Sequence, residues 1–202
     1  MKHRDHVGKM DYDLIGLLQF YALSILGLRP HHKLLDIGCG SLRAGKFFIP
    51  YLHEGNYYGI EPDKSVIDAG IRNEVDDERG ATFSCSASYE CGCFGKRFDF
   101  ILAHSIFTHA PLGDIETCIK NAYESLKVGG MFAFTYYEGD DNKMESWCWQ
   151  KVTYRKETLL SLLPDDMILC DGGRVYHPRG QRWVIHYKTN RKKNITTKEK
   201  AE

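Results

Sequence analysis

Three segments of the sequence carry side chains that can transfer protons or bind small molecules. Histidine and tyrosine can act as general acids or bases, and the candidates for catalysis are His104, His109, Tyr136 and His177. Arginine binds carboxylates or phosphates, and aromatic rings pack against organic molecules; the candidates for substrate binding are Tyr137, Trp147, Arg179 and Arg182. Each residue also has an ordinary structural interpretation, such as packing, capping or a hairpin turn. Because Tyr136 and Tyr137 alternate faces on a strand, at most one of them can face a site.

A glycine turn near the start of the chain is the second chemical feature. The segment LLDIGCGSLRAG runs from an apolar strand pattern into Gly38 and Gly40 and then into a helix start. Glycine occurs where φ must be positive or where something approaches the main chain closely. The pair therefore predicts a ligand cradle, with a tight turn that binds no ligand as the alternative. Glu61 ends the next predicted strand, where a carboxylate can accept hydrogen bonds from both hydroxyls of a ribose.

The residues around the glycine turn favour one nucleoside cofactor over another. A dinucleotide-binding turn has three glycines and places a pyrophosphate on a helix N-terminus, whereas here the third position is Arg43. Asp36 stands just before the glycines, and its carboxylate repels phosphate and attracts a cation. S-adenosylmethionine has an ammonium, a sulfonium, a ribose and no phosphate, so the charges favour it. A nicotinamide-dependent oxidoreductase is the alternative.

Strand and helix patterns alternate along most of the chain, which predicts a parallel sheet with right-handed crossovers. The predicted strands are 33–37, 57–61, 81–85, 98–103, 131–137, 167–171 and 182–188, and the predicted helices are 11–28, 41–52, 63–72, 113–130 and 154–164. The last two strands form an antiparallel pair whose hairpin points to the ligand edge. The fold class is therefore α/β, with a Rossmann-like seven-stranded, mostly parallel sheet, an antiparallel closing strand, and helices on both faces.

The domain boundaries follow from the same pattern. Residues 1–188 are expected to form one domain, in which residues 1–29 are an N-terminal helical cap, and residues 189–202 a polar, disordered tail. The helix at 11–28 is amphipathic, because apolar side chains recur at intervals of three and four residues: Leu14, Leu17, Leu18, Tyr21, Ile25 and Leu28. This helix and the loop around Trp147 could cover the site.

Composition limits the cellular setting and the partners. The chain has 27 basic and 27 acidic residues, which argues against a general nucleic-acid binder. Seven cysteines at scattered spacings and a polar amino terminus indicate a reducing cytoplasm, and no run is apolar enough to span a membrane. Cys91 and Cys93 are one close pair without two matched ligands, so we expect no metal. For the oligomeric state, a homodimer is one of the alternatives that the sequence leaves.

Four segments together resemble the class I S-adenosylmethionine-dependent methyltransferases: LLDIGCGSLRAG, YYGIEPD, FDFILAHSIFTH and LKVGGMFAFTYY. The resemblance implies that the methionine part of S-adenosylmethionine contacts Asp36, Gly38, Cys39 and Gly40. It implies that Glu61 binds the ribose and that Ile60 and Pro62 lie near the adenine. The third motif of the family often has an acidic residue at the adenine, where this chain has Ser86 and Ser88. His104 would pack against the cofactor, contribute to catalysis, or both.

The resemblance implies methyl transfer to an O, N or S atom, and small-molecule acceptors are favoured. The segment HSIF stands where DNA amino-methyltransferases of this fold have an Asn/Asp-Pro-Pro-aromatic motif, and no Pro-Cys nucleophile is present, so DNA is not expected as a substrate. Two alternatives remain. One is a non-catalytic scaffold that binds S-adenosylmethionine, and the other is a methyltransferase for RNA or protein that uses the basic tail.

Overall fold

The computed structural model describes Arg4 and residues 11–147, 150–170 and 175–190. Its described part contains one seven-stranded sheet in the order β3-β2-β1-β4-β5-β7-β6. The strands are β1 (Leu34–Ile37), β2 (Tyr57–Ile60), β3 (Thr82–Ser84), β4 (Phe98–Ala103), β5 (Leu126–Tyr136), β6 (Met167–Cys170) and β7 (Arg182–Lys188). All strands are parallel except β7, which runs antiparallel to both of its neighbours. The predicted fold class is confirmed.

Five α-helices cover the two faces of this sheet in the described chain: α1 (Tyr12–Ile25), α2 (Gly45–Tyr51), α3 (Lys64–Glu74), α4 (Leu112–Ser125) and α5 (Lys156–Ser161). Side chains of α1, α2 and α3 share one apolar cluster with β1 and β2, and side chains of α4 and α5 share another with β4 and β5. Within the described ranges, no helix is both long and apolar enough to cross a membrane.

The strand directions bring the carboxyl ends of β1, β2, β3, β4 and β5 to one edge of the sheet. Because β6 is parallel to these strands and β7 returns antiparallel, the β6–β7 connection also lies at this edge. The predicted hairpin position is confirmed for residues 175–181. All candidate residues that follow a strand are therefore collected at this edge.

The prediction for the first helix holds for its position but is wrong for the side that packs against the core. The residues that α1 buries are Tyr12, Ile15, Gly16, Gln19, Ala22 and Leu23. Four side chains of the predicted stripe are exposed: Leu14 by 55%, Leu17 by 48%, Tyr21 by 58% and Ile25 by 56%. The reason is backbone proximity, since a Cβ on Gly16 would lie 2.1 Å from the carbonyl oxygen of Arg43. A small residue is required on the packed face, and the larger apolar residues are left outside.

The predicted helix at 113–130 is too long. It ends at Ser125, and Gly129 and Gly130 lie inside β5 instead of closing the helix. Leu126 already pairs with Phe98 of β4, and the register then shifts between Phe98 and Phe100. A φ of 79° at Gly129 marks this irregularity. The glycine pair therefore permits a bulge in the strand.

Candidate active site

The glycine turn has the conformation that its residue types predict. Gly38 and Gly40 have φ values of 72° and 56°, which side chains disfavour. The amides of Gly38 and Cys39 both donate to the carbonyl of Ile60, at 2.7 and 3.0 Å. A Cβ on Gly38 would lie 2.0 Å from Cδ1 of Ile106, in the loop after β4. The space above Gly38 is thus taken by an aliphatic side chain, whose far end can rotate away when a ligand binds.

Two more glycines hold the turn in place from β2 and α3. A Cβ on Gly70 of α3 would lie 2.6 Å from the carbonyl carbon of Ser41, and one on Gly59 of β2 would lie 2.8 Å from Sγ of Cys39. The Cys39 thiol is consequently buried in the core, and burial raises its pKa well above the usual value. Cys39 therefore offers its main chain, and not a thiolate, to a ligand. The sequence analysis missed this support because the contacts are long-range.

Asp36 is buried at the end of β1, where its Oδ2 accepts a hydrogen bond of 2.8 Å from the hydroxyl of Tyr57. Burial raises the pKa of Asp36 to about 7, while the hydrogen bond and the charge of Arg43 act in the opposite direction. The carboxyl group is thus close to half-ionised at neutral pH. A cation bound beside it would favour the charged form.

The residues after β2 and β3 provide hydrogen-bonding groups at the same edge. Glu61 is half-buried, and its Oε1 accepts from the amide of Asp63 at 3.2 Å. The hydroxyls of Ser86 and Ser88 lie 2.9 Å apart. The side chain of Ile60 is buried in the core, whereas Pro62 is exposed. A carboxylate and two hydroxyls at this edge are groups that can hydrogen-bond to the ribose and base of a nucleoside without phosphate.

A hydrogen-bonded chain connects the loop after β4 with the β6–β7 connection. Nε2 of His104 lies 3.0 Å from Nε2 of His177, and the amide of Arg179 donates to Nδ1 of His177 at 3.1 Å. The proton of neutral His177 is therefore on Nε2, which donates to His104. His104 then carries its proton on Nδ1, which lies 3.1 Å from Oγ of Ser105, and the 3.3 Å approach of Arg43 Nη2 to the same nitrogen is a contact between two donors and not a hydrogen bond. The Ser105 hydroxyl donates onward to Oε1 of Gln181 at 3.1 Å.

Both histidines are neutral at physiological pH. Burial and the charge of Arg43 lower the pKa of His104 well below its usual value. Burial and the charge of Arg179 lower the pKa of His177 to about 4. Arg43 itself is buried with Nη2 at 3.3 Å from Nδ1 of His104, and although burial lowers its pKa to about 10 it stays charged. His104 and His177 are therefore poorly suited to accept a proton, and their contact instead fixes the positions of the two rings.

A cavity of about 640 Å³ opens beside this chain at the ends of β5 and β7. It is lined by Tyr136, Glu138, Lys156, Val175, Tyr176, His177, Gly180, Gln181, Arg182 and Trp183. Tyr136 lies opposite Arg182 in the sheet register, and Trp183 points to the other face of the sheet. The cavity therefore spans both faces at the edge of the sheet. Nε of Arg182 pairs with Oε2 of Glu138 at 3.1 Å.

The structure does not bring all predicted residues to this cavity. Nδ1 of His109 donates to the carbonyl of Gln150 at 3.0 Å, and the His109 ring lies 5.7 Å from the Trp147 ring. Lys151 lies over the ring of Tyr137, with Nζ 3.8 Å from its centroid. None of these side chains lines the cavity. Arg179 contacts His177 through its amide and does not line the cavity. Conversely, Lys156 and Gln181 line the cavity and were not identified as candidates by the sequence analysis.

Metal-ligand groupings are absent from the described ranges, where no three His, Cys, Asp or Glu side chains are placed to hold one ion. Cys91 is buried and Cys93 is exposed in a short 3₁₀-helix, so the two thiols do not share an environment. The expectation that the protein has no metal stays a prediction.

Several solved proteins that superpose on this fold are S-adenosylmethionine-dependent methyltransferases. Residues 35–132 match the family described as a methyltransferase domain. Magnesium protoporphyrin IX methyltransferase from Synechocystis PCC 6803, solved with bound S-adenosylmethionine, superposes with a TM-score of 0.62 at 13% identity, covering 88% of this chain and 82% of that one. An S-adenosylmethionine-dependent methyltransferase from Clostridium acetobutylicum has a TM-score of 0.65 at 12% identity, with 92% and 95% coverage.

A third similar structure is a TehB-like S-adenosylmethionine-dependent methyltransferase from Corynebacterium glutamicum, with a TM-score of 0.61, 16% identity and coverage of 86% and 88%. The matched segment contains the glycine turn, Glu61 and β4, which carried the sequence resemblance. The nicotinamide alternative is therefore excluded. The family match over residues 35–132 and the seven-stranded fold support a class I S-adenosylmethionine-dependent methyltransferase with S-adenosylmethionine as its cofactor.

Proposed function

We propose that the protein methylates an O, N or S atom of a small molecule bound in the cavity at the ends of β5 and β7. The observation that carries this proposal is the cavity itself, because about 640 Å³ suits a small ligand. His177 lines it and contacts His104, which follows β4 next to the strand that ends in the glycine turn. An acceptor there would lie beside the cofactor edge of the sheet.

The cofactor supplies a methyl group on a positively charged sulfur, and the protein binds and orients it. We assign the methionine part to Asp36 and to the main chain of residues 38–40, and the ribose to Glu61. Ile60 and Pro62 would flank the adenine, and Ser86 or Ser88 would accept or donate at its edge. These roles agree with a carboxylate and a glycine turn of positive φ at the carboxyl ends of β1 and β2, where the flexible Ile106 side chain would have to move aside.

Positioning, more than base catalysis, is the proposed contribution of the histidine pair. His177 has Nδ1 occupied by the Arg179 amide and Nε2 by His104, so neither nitrogen is available to take a proton from the acceptor. Holding the acceptor atom against the methyl group supplies much of the rate of such a displacement. Tyr136 and His177 would orient the acceptor, whereas the geometry supports no catalytic role for His109.

The first test is calorimetry with S-adenosylmethionine, which should bind well below millimolar concentration. Glu61→Ala should weaken that binding, and Glu116→Ala, on the exposed face of α4, should not. Turnover is then tested with a panel of metabolites, by detecting S-adenosylhomocysteine together with a methylated product. Tyr136→Phe should lower kcat/KM, and Tyr137→Phe, outside the cavity, should leave it unchanged. Cofactor binding without turnover would favour the scaffold alternative, and turnover on RNA or protein alone would also overturn the proposal.

The homodimer also has a candidate surface, the exposed stripe of α1. Residues 14–28 contain no charged side chain, and the same stripe on a second copy would match it without burying charge. Sedimentation velocity should find a dimer that Leu17→Glu converts to a monomer with unchanged thermal stability. A wild-type protein that is monomeric at micromolar concentration would refute this contact.

A further inference from the structure

We propose that the acceptor carries a carboxylate on a planar, aromatic body, and that Lys156 and Tyr136 bind this carboxylate in the cavity. The inference rests on the proposed function and adds the chemical class of the substrate to it. Four observations on the cavity wall carry it, and they concern a hydroxyl, an ammonium, the charge balance and the ring surfaces.

The hydroxyl of Tyr136 is the first observation. The Tyr136 side chain is 1% exposed and lines the cavity, yet its hydroxyl makes no hydrogen bond with any described residue. Burial raises its pKa to about 12, so the group stays protonated and can donate. The hydroxyl is therefore a hydrogen-bond donor that a ligand in the cavity can use.

Lys156 supplies the matching positive charge. It is half-buried at the start of α5 and lines the same cavity. Across the described part of the chain, its ammonium has neither an ion pair nor a hydrogen bond. The other basic residue in the lining, Arg182, pairs with Glu138. The cavity thus has one cation that is not neutralised by a protein carboxylate.

The net charge of the residues that line the cavity also favours a carboxylate ligand. Its ionised groups at neutral pH are Lys156, Arg182 and Glu138, because His177 has a pKa of about 4 and is neutral. Two cations and one carboxylate leave one net positive charge. A carboxylate has one negative charge and neutralises this lining. A phosphate monoester has up to two negative charges and would leave the site with a net negative charge. The balance therefore selects a carboxylate over a phosphate monoester.

Two aromatic rings determine the expected shape of the ligand. Trp183 is buried, and its Nε1 has no hydrogen-bond partner. Tyr176, in the β6–β7 connection, is 77% exposed. Both rings line the cavity, and flat ring surfaces favour a planar ligand body.

The test compares benzoate with benzamide, which has the same shape and no charge. Titrations are made by calorimetry on the full chain, with and without saturating S-adenosylhomocysteine. Benzoate should bind at least about tenfold more tightly, as expected for a hydrogen bond to a charged group. Lys156→Gln should remove this preference, Tyr136→Phe should reduce it, and Lys143→Gln, an exposed lysine outside the cavity, should preserve it. Unchanged melting temperatures establish that the variants fold.

Three results would overturn the inference, and they are separate from failure of the proposed function. Equal affinity for benzoate and benzamide would refute the carboxylate site, as would a preference that survives Lys156→Gln. Tighter binding of phenyl phosphate than of benzoate would refute the choice of anion. If S-adenosylhomocysteine did not bind in the same samples, the proposed function would be refuted instead, because this ligand tests the cofactor site at the glycine turn and not the carboxylate site.

Discussion

Replacing Asp36 by asparagine should stabilise the fold in a manner that depends on pH. Asp36 is buried, and among the described residues its carboxyl group accepts one side-chain hydrogen bond, from Tyr57. Asparagine has the same shape and can accept that hydrogen bond through its side-chain oxygen. It removes a charge that has no counter-ion at contact distance, so the native state no longer has to bury a carboxylate.

The magnitude follows from the difference between the folded and unfolded pKa of Asp36. Burial raises the pKa from 3.8 to about 7. Because the folded value is the higher one, the contribution of Asp36 to stability is fully present below pH 3.8 and is lost as pH rises to 7. Each pH unit in this window costs about 1.4 kcal/mol. Between pH 5 and pH 8 the variant should therefore gain about 3 kcal/mol relative to the wild type.

Urea unfolding of both proteins at pH 5 and pH 8 measures this difference directly. Other titrating groups contribute equally to the two proteins and cancel. Asp99→Asn is the matched control, because the hydrogen bond from Lys127 holds the pKa of Asp99 below its usual value despite partial burial. That variant should lose stability above pH 4. If Asp36→Asn changed stability by the same amount at pH 5 and pH 8, the assignment of a raised pKa to Asp36 would be wrong.

Three further predictions concern the same region. The affinity for S-adenosylmethionine should rise about tenfold between pH 6 and pH 8, since a cation binds the ionised Asp36, and calorimetry on Asp36→Asn should find no such rise. Gly38→Ala should lower the melting temperature, because its Cβ would lie 2.0 Å from Ile106 and φ is 72°; Ile106→Ala should restore part of the loss. Gly16→Ala should destabilise by at least about 2 kcal/mol through contact with the Arg43 carbonyl, whereas Gly113→Ala, with open space around it, should stabilise slightly.

Local patterns predicted most of the sheet but not the orientation of the first helix. The strands β1, β2 and β4 are short apolar runs that end in turn residues, so their positions follow from the residues alone. For α1 the apolar stripe was the stronger pattern, yet the helix packs through Gly16. A glycine on a helix face is a weak signal, because it contributes no apolar area. Its importance arises only from the Arg43 backbone opposite it.

The helix end predicted from the glycine pair after α4 was wrong for a related reason. Paired glycines commonly end a helix, and nothing local distinguishes that use from a bulge in a strand. The difference is made by β4, which pairs Phe98 with Leu126 before the glycines are reached. Lys127 is also held to Asp99 of β4 at 2.8 Å. Contacts between segments, and not the glycines, decide where α4 ends.

The same distinction between local patterns and long-range contacts applies to the residues of the candidate site. The glycine turn and Glu61 form a motif with fixed spacing, so the sequence alone located them. The link from the turn to the cavity consists of Arg43, His104 and His177, at 3.3 and 3.0 Å, and these residues come from three different segments. No spacing rule connects them. The cofactor edge could therefore be predicted from a motif, whereas the acceptor side depends on which side chains the fold brings together, such as Lys156 and Tyr136 in the lining of one cavity.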